Sequence, residues 1–230
     1  LAVHVMGSYG VVIPAFNAAA TIADTLRSVA AQTIGADAIV VVDDGSTDDL
    51  EAAIAVADIP VRLLRQDNAG PGSATTRGMG ALSTPLIATL DADDLWLPTK
   101  IEAQLAHLER SPRTAGVFTH LRNFRHDRPD LPDAAATPGW SRSTMMIRRE
   151  VADIVGPVVD PPGGRGEMID WIARVREAGF VLDMLDEVLA LRRIRPGSLS
   201  YGRDAARDRG YLEVARAAML RRARNKPGSG

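Results

Sequence analysis

The chain has 230 residues and a formal net charge of −2, long enough for one domain with a sizeable core and without the basic excess that would mark nucleic acid as a general partner. It contains no cysteine, which excludes a disulfide framework or a thiolate metal site and fits a reducing, cytoplasmic compartment. No apolar run reaches the roughly 18 residues of a membrane span.

Residues 1–10 lack the charged start and cleavage site of a signal peptide and read as an N-terminal extension or expression-derived residues. Residues 11–17, Val-Val-Ile-Pro-Ala-Phe-Asn, predict a buried strand over 11–13 that turns at Pro14. From Thr21 to Gln32 the apolar residues Ile22, Leu26 and Val29 recur at helical spacing. A second buried strand at 39–42 runs into Asp43, Asp44 and a Gly-Ser turn. Strand, helix and strand in this order predict two parallel neighbours joined by a right-handed crossover. Helices at 48–56 and 72–82 alternate with strands at 61–65 and 86–90. A helix at 98–110 buries Ile101, Leu105 and Leu108 and leaves His107 facing solvent. The second half looks irregular: 122–143 is polar and Pro-rich, and 156–166 is rich in glycine and proline.

The strand at 86–90 ends in Asp91-Ala-Asp93-Asp94. Asp91 and Asp93, two apart on extended chain, point the same way. Two like charges held together are costly unless something positive lies between them. A divalent cation carrying a diphosphate satisfies that need; capping of the helix that follows Pro98 is the other reading of the same acids. In open α/β sheets ligands bind beyond the carboxyl ends of the strands, which gathers Phe16, Asp43, Asp44, Asp91 and Asp93 at one edge. The spacing of His4, His107, His120 and His126 suits no zinc site. Asp91-Ala-Asp-Asp-Leu lacks the glycine and distal glutamate of a calcium loop. Pro14-Ala-Phe-Asn stands where a dinucleotide binder has its glycines.

The ordered blocks Val-Ile-Pro-Ala-Phe-Asn, Val-Val-Asp-Asp-Gly-Ser-Thr-Asp, Asn68-Ala-Gly, Arg77-Gly-Met-Gly80 and Leu-Asp-Ala-Asp-Asp-Leu-Trp-Leu-Pro resemble family 2 glycosyltransferases of the GT-A fold. Later, Thr144-Met-Met-Ile-Arg-Arg-Glu, Gly166-Glu with Asp170-Trp and Arg174, and Arg192-Arg-Ile-Arg-Pro-Gly-Ser-Leu-Ser extend the resemblance over roughly residues 10–200. It implies a single domain with a Rossmann-like, mostly parallel sheet flanked by helices. Residues 11–121 would form the nucleotide-sugar-binding half, 122–200 the acceptor-side half with flexible loops, and 201–230 a basic C-terminal helix and tail. The activity implied is inverting transfer of a sugar from a nucleotide-diphosphate donor, a UDP-sugar most commonly in the family, to a hydroxyl acceptor with Mn²⁺ or Mg²⁺. A nucleotide-sugar-binding protein without transfer activity and a nucleotidyltransferase are the alternative readings.

The resemblance also implies roles. Pro14 and Phe16 belong to the donor site, with Phe16 stacking on the base. Asp44 accepts the uracil N3–H, and Asp43 orients the turn. Arg77 balances Asp91 or holds a phosphate. Asp93 ligates the metal directly, Asp91 reaches the ribose or the metal's water shell, and Arg195 stands where a histidine is usual and pairs with the diphosphate. The family's usual base, an aspartate, is replaced by Met168. Gly166 followed by acids reads as a helix start, with Glu167 and Asp170 sharing a face. Glu167 is the candidate base and Asp170 its support. Arg203, Arg207, Arg209, Arg216, Arg221, Arg222 and Arg224, with Leu212, Val214, Ala218 and Met219 between them, read either as a solvated helix packed on the domain or as a peripheral contact with an anionic lipid surface.

Overall fold

Strand β1 (Tyr9–Ala15) is buried at every position because helices cover both faces of the sheet at its centre, and this enclosure explains its uninterrupted apolar run. The structure is a computed structural model that describes residues 7–126, 128, 132–133, 135–162, 165–195 and 205–224, without the side chains of 205–208 and 222–224. The expectations for residues 1–6, 196–200, Arg203 and the tail lie outside the described residues, as do those for the side chains of Arg207, Arg222 and Arg224.

From β1 the chain forms α1 (Ile22–Ala30), β2 (Ala38–Asp43), α2 (Leu50–Ala57), β3 (Arg62–Arg65), α3 (Pro71–Ala81) and β4 (Leu86–Thr89). It continues through β5 (Leu95–Trp96), α4 (Lys100–Arg110), β6 (Thr114–Arg125), β7 (Thr137–Pro138), a 3₁₀ turn at Arg142–Thr144, β8 (Met146–Arg148) and α5 (Arg149–Val155). The last elements are α6 (Glu167–Glu177), β9 (Val181–Ile194) and α7 (Ala205–Arg224). The sheet order is β3-β2-β1-β4-β8-β6-β9-β5, with β7 on β6. β1 pairs in parallel with β2, from Gly10–Ala38 to Ala15–Asp43, and with β4. β8 runs antiparallel between β4 and β6, while β6 and β9 are parallel.

The pleat divides the core. Ile13 and Val41 face α1, α2 and α4 through Ile22, Leu26, Leu50, Ile101 and Leu108. Val12, Val40 and Val42 face α3, α5 and α6 through Met79, Val151, Trp171 and Val175. Pro71 starts α3 without wasting an amide donor, and Gly78 lets that helix press on Val12.

Three expectations are corrected. The second half is more regular than expected, although the described residues of 156–166 do form an irregular loop: residues 122–125 complete β6, and β9 runs from Val181 to Ile194 beside it. Charged residues at mixed spacing hide both strands, because their faces are only partly buried. His107 does not simply face solvent; its Nε2 lies 2.7 Å from Asp183 Oδ2, and this partner holds the Asp183 carboxyl below its usual range. The buried side of α4 also includes Lys100 and Gln104. The Lys100 ammonium donates to Gln104 Oε1 at 2.7 Å and lies 4.1 Å over the Trp96 ring, and burial holds its pKa well below the usual lysine value.

α7 packs on α6 through a backbone approach that only glycine permits. A Cβ on Gly210 would land inside the Arg165 carbonyl. Gly210→Ala is expected to destabilise the protein by about 1–3 kcal/mol through overpacking. Denaturant unfolding measures the loss, and hydrogen exchange should report faster exchange concentrated in α7.

Candidate active site

The carboxyl ends of β1, β2 and β4 lie side by side because the three strands are parallel neighbours. Pro14 is inside β1, in register with Val42. Phe16, one residue past the strand, is half exposed, a large apolar ring left at the sheet edge. The two turns beyond the strands are laced together: Asn17 N–H donates to Ser46 Oγ at 3.0 Å, and Asn17 Oδ1 accepts from Thr47 N–H at 2.8 Å.

Asp43 and Asp44 separate here. Asp43 Oδ1 accepts from Ser46 N–H at 2.8 Å, and its Oδ2 stands 3.6 Å from Arg65 Nε. It borders a cavity of about 270 Å³ lined also by Ser46, Asp48, Leu50, Arg65 and Gln66. Asp44 turns the other way and holds the loop before α3, accepting from Gln66 Nε2 at 2.7 Å and from the amides of Ala69 and Gly70 at 2.9 Å.

Beyond β4 the chain delivers Asp91, Asp93 and Asp94 in one turn. Asp94 is enclosed; its Oδ2 accepts from Ser143 Oγ at 2.5 Å and its Oδ1 from Arg193 N–H at 2.8 Å. Burial, then the charges of Asp93 and Asp91, push its pKa well above the usual carboxylate value. Asp93 is shifted the same way by burial and by Asp91, opposed by the guanidinium of Arg195, whose Nε lies 3.7 Å from Asp93 Oδ2. Ser143 is a hub: its hydroxyl also accepts from Asp91 N–H at 3.2 Å, and its carbonyl accepts from Trp96 Nε1 at 2.7 Å.

The cation facing Asp91 is Arg142. Its Nε donates to Asp91 Oδ1 at 2.6 Å, and a terminal nitrogen donates to Glu167 Oε1 at 2.9 Å. Burial works against the charge of this arginine, but the two carboxylates outweigh burial and hold its proton above the usual arginine range. Arg77 sits on the exposed side of α3, so the expectation that it balances Asp91 is corrected in favour of Arg142.

Glu167 is the first residue of α6 and is nearly enclosed. Asp170 lies on the same helix but is held elsewhere, by Arg174 at 3.0 Å and Arg221 at 2.9 Å. Met168 joins the apolar core that includes Trp171, Ile172 and Val175. The structure therefore brings Glu167, and not Asp170, to the acid cluster. Sequence reasoning missed Arg142, Ser143 and Arg193. The one local signal for the first two was a polar Ser-Arg-Ser-Thr stretch leading directly into the apolar run 145–147.

No three His, Cys, Asp or Glu side chains form a cation cage among the described residues. Asp91 and Asp93 nonetheless suit Mg²⁺ or Mn²⁺, which bind through one or two carboxylates and draw their remaining ligands from water and phosphate. Asp93 bears the like charge of Asp91 on top of its burial, a repulsion that a cation between the two carboxylates would relieve.

Comparison with known proteins places the chain in a family. Over 175 residues the chain is 35% identical to an uncharacterized glycosyltransferase of Nostoc sp., covering 66% of this chain and 53% of that one. Over 150 residues it is 40% identical to the succinoglycan biosynthesis protein ExoO of Rhizobium meliloti, covering 60% and 43%. The chain thus spans about half the length of these relatives. S. aureus TarS in complex with UDP-GlcNAc superposes with a TM-score of 0.73 at 15% identity, over 93% of this chain and 66% of that one. Glucosyl-3-phosphoglycerate synthase from Mycobacterium tuberculosis, in complex with Mn²⁺, UDP and phosphoglyceric acid, gives 0.66 at 21% identity, over 97% and 80%. These likenesses establish the GT-A fold. Residues 10–159 match the profile of Glycosyl transferase family 2, and the chain belongs to that family.

Proposed function

We propose that this chain transfers a sugar, with inversion, from a UDP-sugar to a hydroxyl acceptor with the help of Mn²⁺ or Mg²⁺. The observation that carries the reading is the Asp91–Arg142–Glu167 bridge, which fixes a carboxylate of α6 beside the acidic end of β4. The UDP-GlcNAc bound by TarS and the Mn²⁺ and UDP bound by the mycobacterial synthase support the donor and metal.

Phe16 stacks on the base. Asp44 serves base recognition by holding the 66–70 loop and reading the pyrimidine edge, while Asp43 shapes the adjoining turn. Asp93 is the direct metal ligand, Asp91 meets the ribose or the metal's water shell, and Arg195 pairs with the diphosphate. A bound divalent cation screens the charge that collects on the departing diphosphate. Glu167 takes the acceptor proton as the hydroxyl oxygen attacks the anomeric carbon opposite the leaving group. Asp170 acts indirectly, by holding α6 to α7. Donor binding without transfer is the second reading, favoured by the enclosed Met168 at the family's aspartate position.

Thermal stabilisation by a panel of nucleotide sugars, with and without Mn²⁺, tests the donor. A ligand that binds only the native state, at 100 times its Kd, adds about 2.7 kcal/mol of stability. The expected result is stabilisation by a UDP-sugar that Mn²⁺ strengthens. Asp93→Ala should remove the Mn²⁺-dependent part of UDP affinity in calorimetric titration and leave the fold intact. An unchanged metal dependence would overturn the Asp93 assignment.

A further inference from the structure

The helix α7 has two faces with different fates. Inward, Gly210 closes on Arg165, Val214 is buried, and Arg221 pairs with Asp170 at 2.9 Å and Glu177 at 2.7 Å. Positions 210, 214 and 221 fall on one side of a helix, so α7 is fixed to α6 by that side. Leu212 and Met219, seven residues apart, lie opposite and are 72% and 69% exposed. Leu220 is exposed beside them, and Tyr211 on the other flank, where its ring meets the turn at Gly166. Elsewhere among the described residues the large exposed apolar side chains are more scattered, as Val56 on α2 and Ile154 on α5 are, whereas α7 presents four. Arg209 and Arg216 stand exposed among them.

The charge of this helix selects its occupant. Apart from Arg221, whose charge is met inward by Asp170 and Glu177, Ala205–Arg224 carries five arginines against Asp208 and Glu213, in a chain whose net charge is −2. A second copy docking by the same face would bring a surface with Arg209 and Arg216 against Glu213, the single exposed acid among its described residues, onto its own like, with net repulsion. An anionic surface with hydrocarbon beneath it accepts both the charges and the Leu212–Met219 stripe. No helix among the described residues is long and apolar enough to cross a membrane, and α7 would meet a bilayer along its side. We propose that the outward face of α7 seats this protein on an anionic bilayer. The proposal stands apart from the sugar-transfer reading, since none of its residues belongs to the site.

Co-sedimentation of the full chain with vesicles tests it. Binding is expected with phosphatidylglycerol–phosphatidylcholine vesicles at low salt, and loss of binding with pure phosphatidylcholine or at high salt. The double substitution Arg209→Gln with Arg216→Gln should weaken vesicle affinity by roughly ten- to thirtyfold, the worth of two surface charges. Leu212→Asn with Met219→Asn should weaken it further while the melting temperature holds, because both side chains already face out. Failure of the wild-type chain to bind anionic vesicles overturns the proposal, as does binding that neither double variant changes. A concentration-dependent dimer in light scattering that Leu212→Asn with Met219→Asn abolishes would assign the face to a second copy instead.

Discussion

Arg142→Met should lower the unfolding free energy by about 3–5 kcal/mol, the cost of leaving buried charge without its partner. The side chain is replaced by one of similar volume, so the loss reports the charge and not a cavity. Asp91 and Glu167 would face each other across an apolar gap. Urea denaturation measures the effect. Adding Glu167→Gln to Arg142→Met removes one of the stranded charges, so the double variant should recover part of the loss; strict additivity would show that the bridge is not coupled. Arg142→Lys should fall between wild type and methionine, since an ammonium lacks the planar fork that reaches two carboxylates at once.

Glu167→Gln should reduce transfer by roughly 10²–10⁴-fold, the usual worth of a general base, while UDP-sugar binding persists. The readout is UDP release with an acceptor that supports wild-type turnover, alongside calorimetric titration of the donor. The amide retains a hydrogen-bond acceptor for Arg142, so the fold should survive with a modest loss of stability. Asp170→Asn should act differently: it loosens the contacts with Arg174 and Arg221 and should cost stability before it costs turnover. An inactive Asp170→Asn beside a fully active Glu167→Gln would exchange the two roles.

The N-terminal half was legible because its signals are local. β1, β2 and β4 are short apolar runs that end in turn residues and acids, and α1 and α4 carry their buried residues at helical spacing. Every such cue lies within a few residues of the element it predicts. The other half of the site depends on pairings that no local window contains. Gln104 looks like one polar residue on a charged helix, yet its amide donates to Val117 O and Thr144 O at 2.8 Å and fixes the 3₁₀ turn that presents Arg142. Arg142 itself lies in a stretch without periodicity, and its importance arises only when β8 brings it between β4 and α6. β9 mixes acids, arginines and aliphatics because its faces are partly covered at some positions and open at others. The helix start at Gly166 was readable from its glycine and its acids, but the divergence of Glu167 and Asp170 was not: spacing gives a common face and says nothing of which partners await there.

The way Asp94 is held also bears on the order of folding. Its partners Ser143 and Arg193 lie 49 and 99 residues further along the chain. Contacts of such sequence separation form slowly, because the intervening loop must close before they repay its entropy. β1, β2 and β4 with their crossover helices need no residue beyond Thr89 to pair. The parallel half of the sheet can therefore assemble while the acidic turn is still solvated and uncommitted. Closure of β9 over β5, with Leu191 against Leu95, then withdraws Asp94 from water in the same event that sets Arg193 beside it. In a nascent chain, the carboxylates emerge long before the strand that organises them, and the centre becomes complete only when the last strand is home.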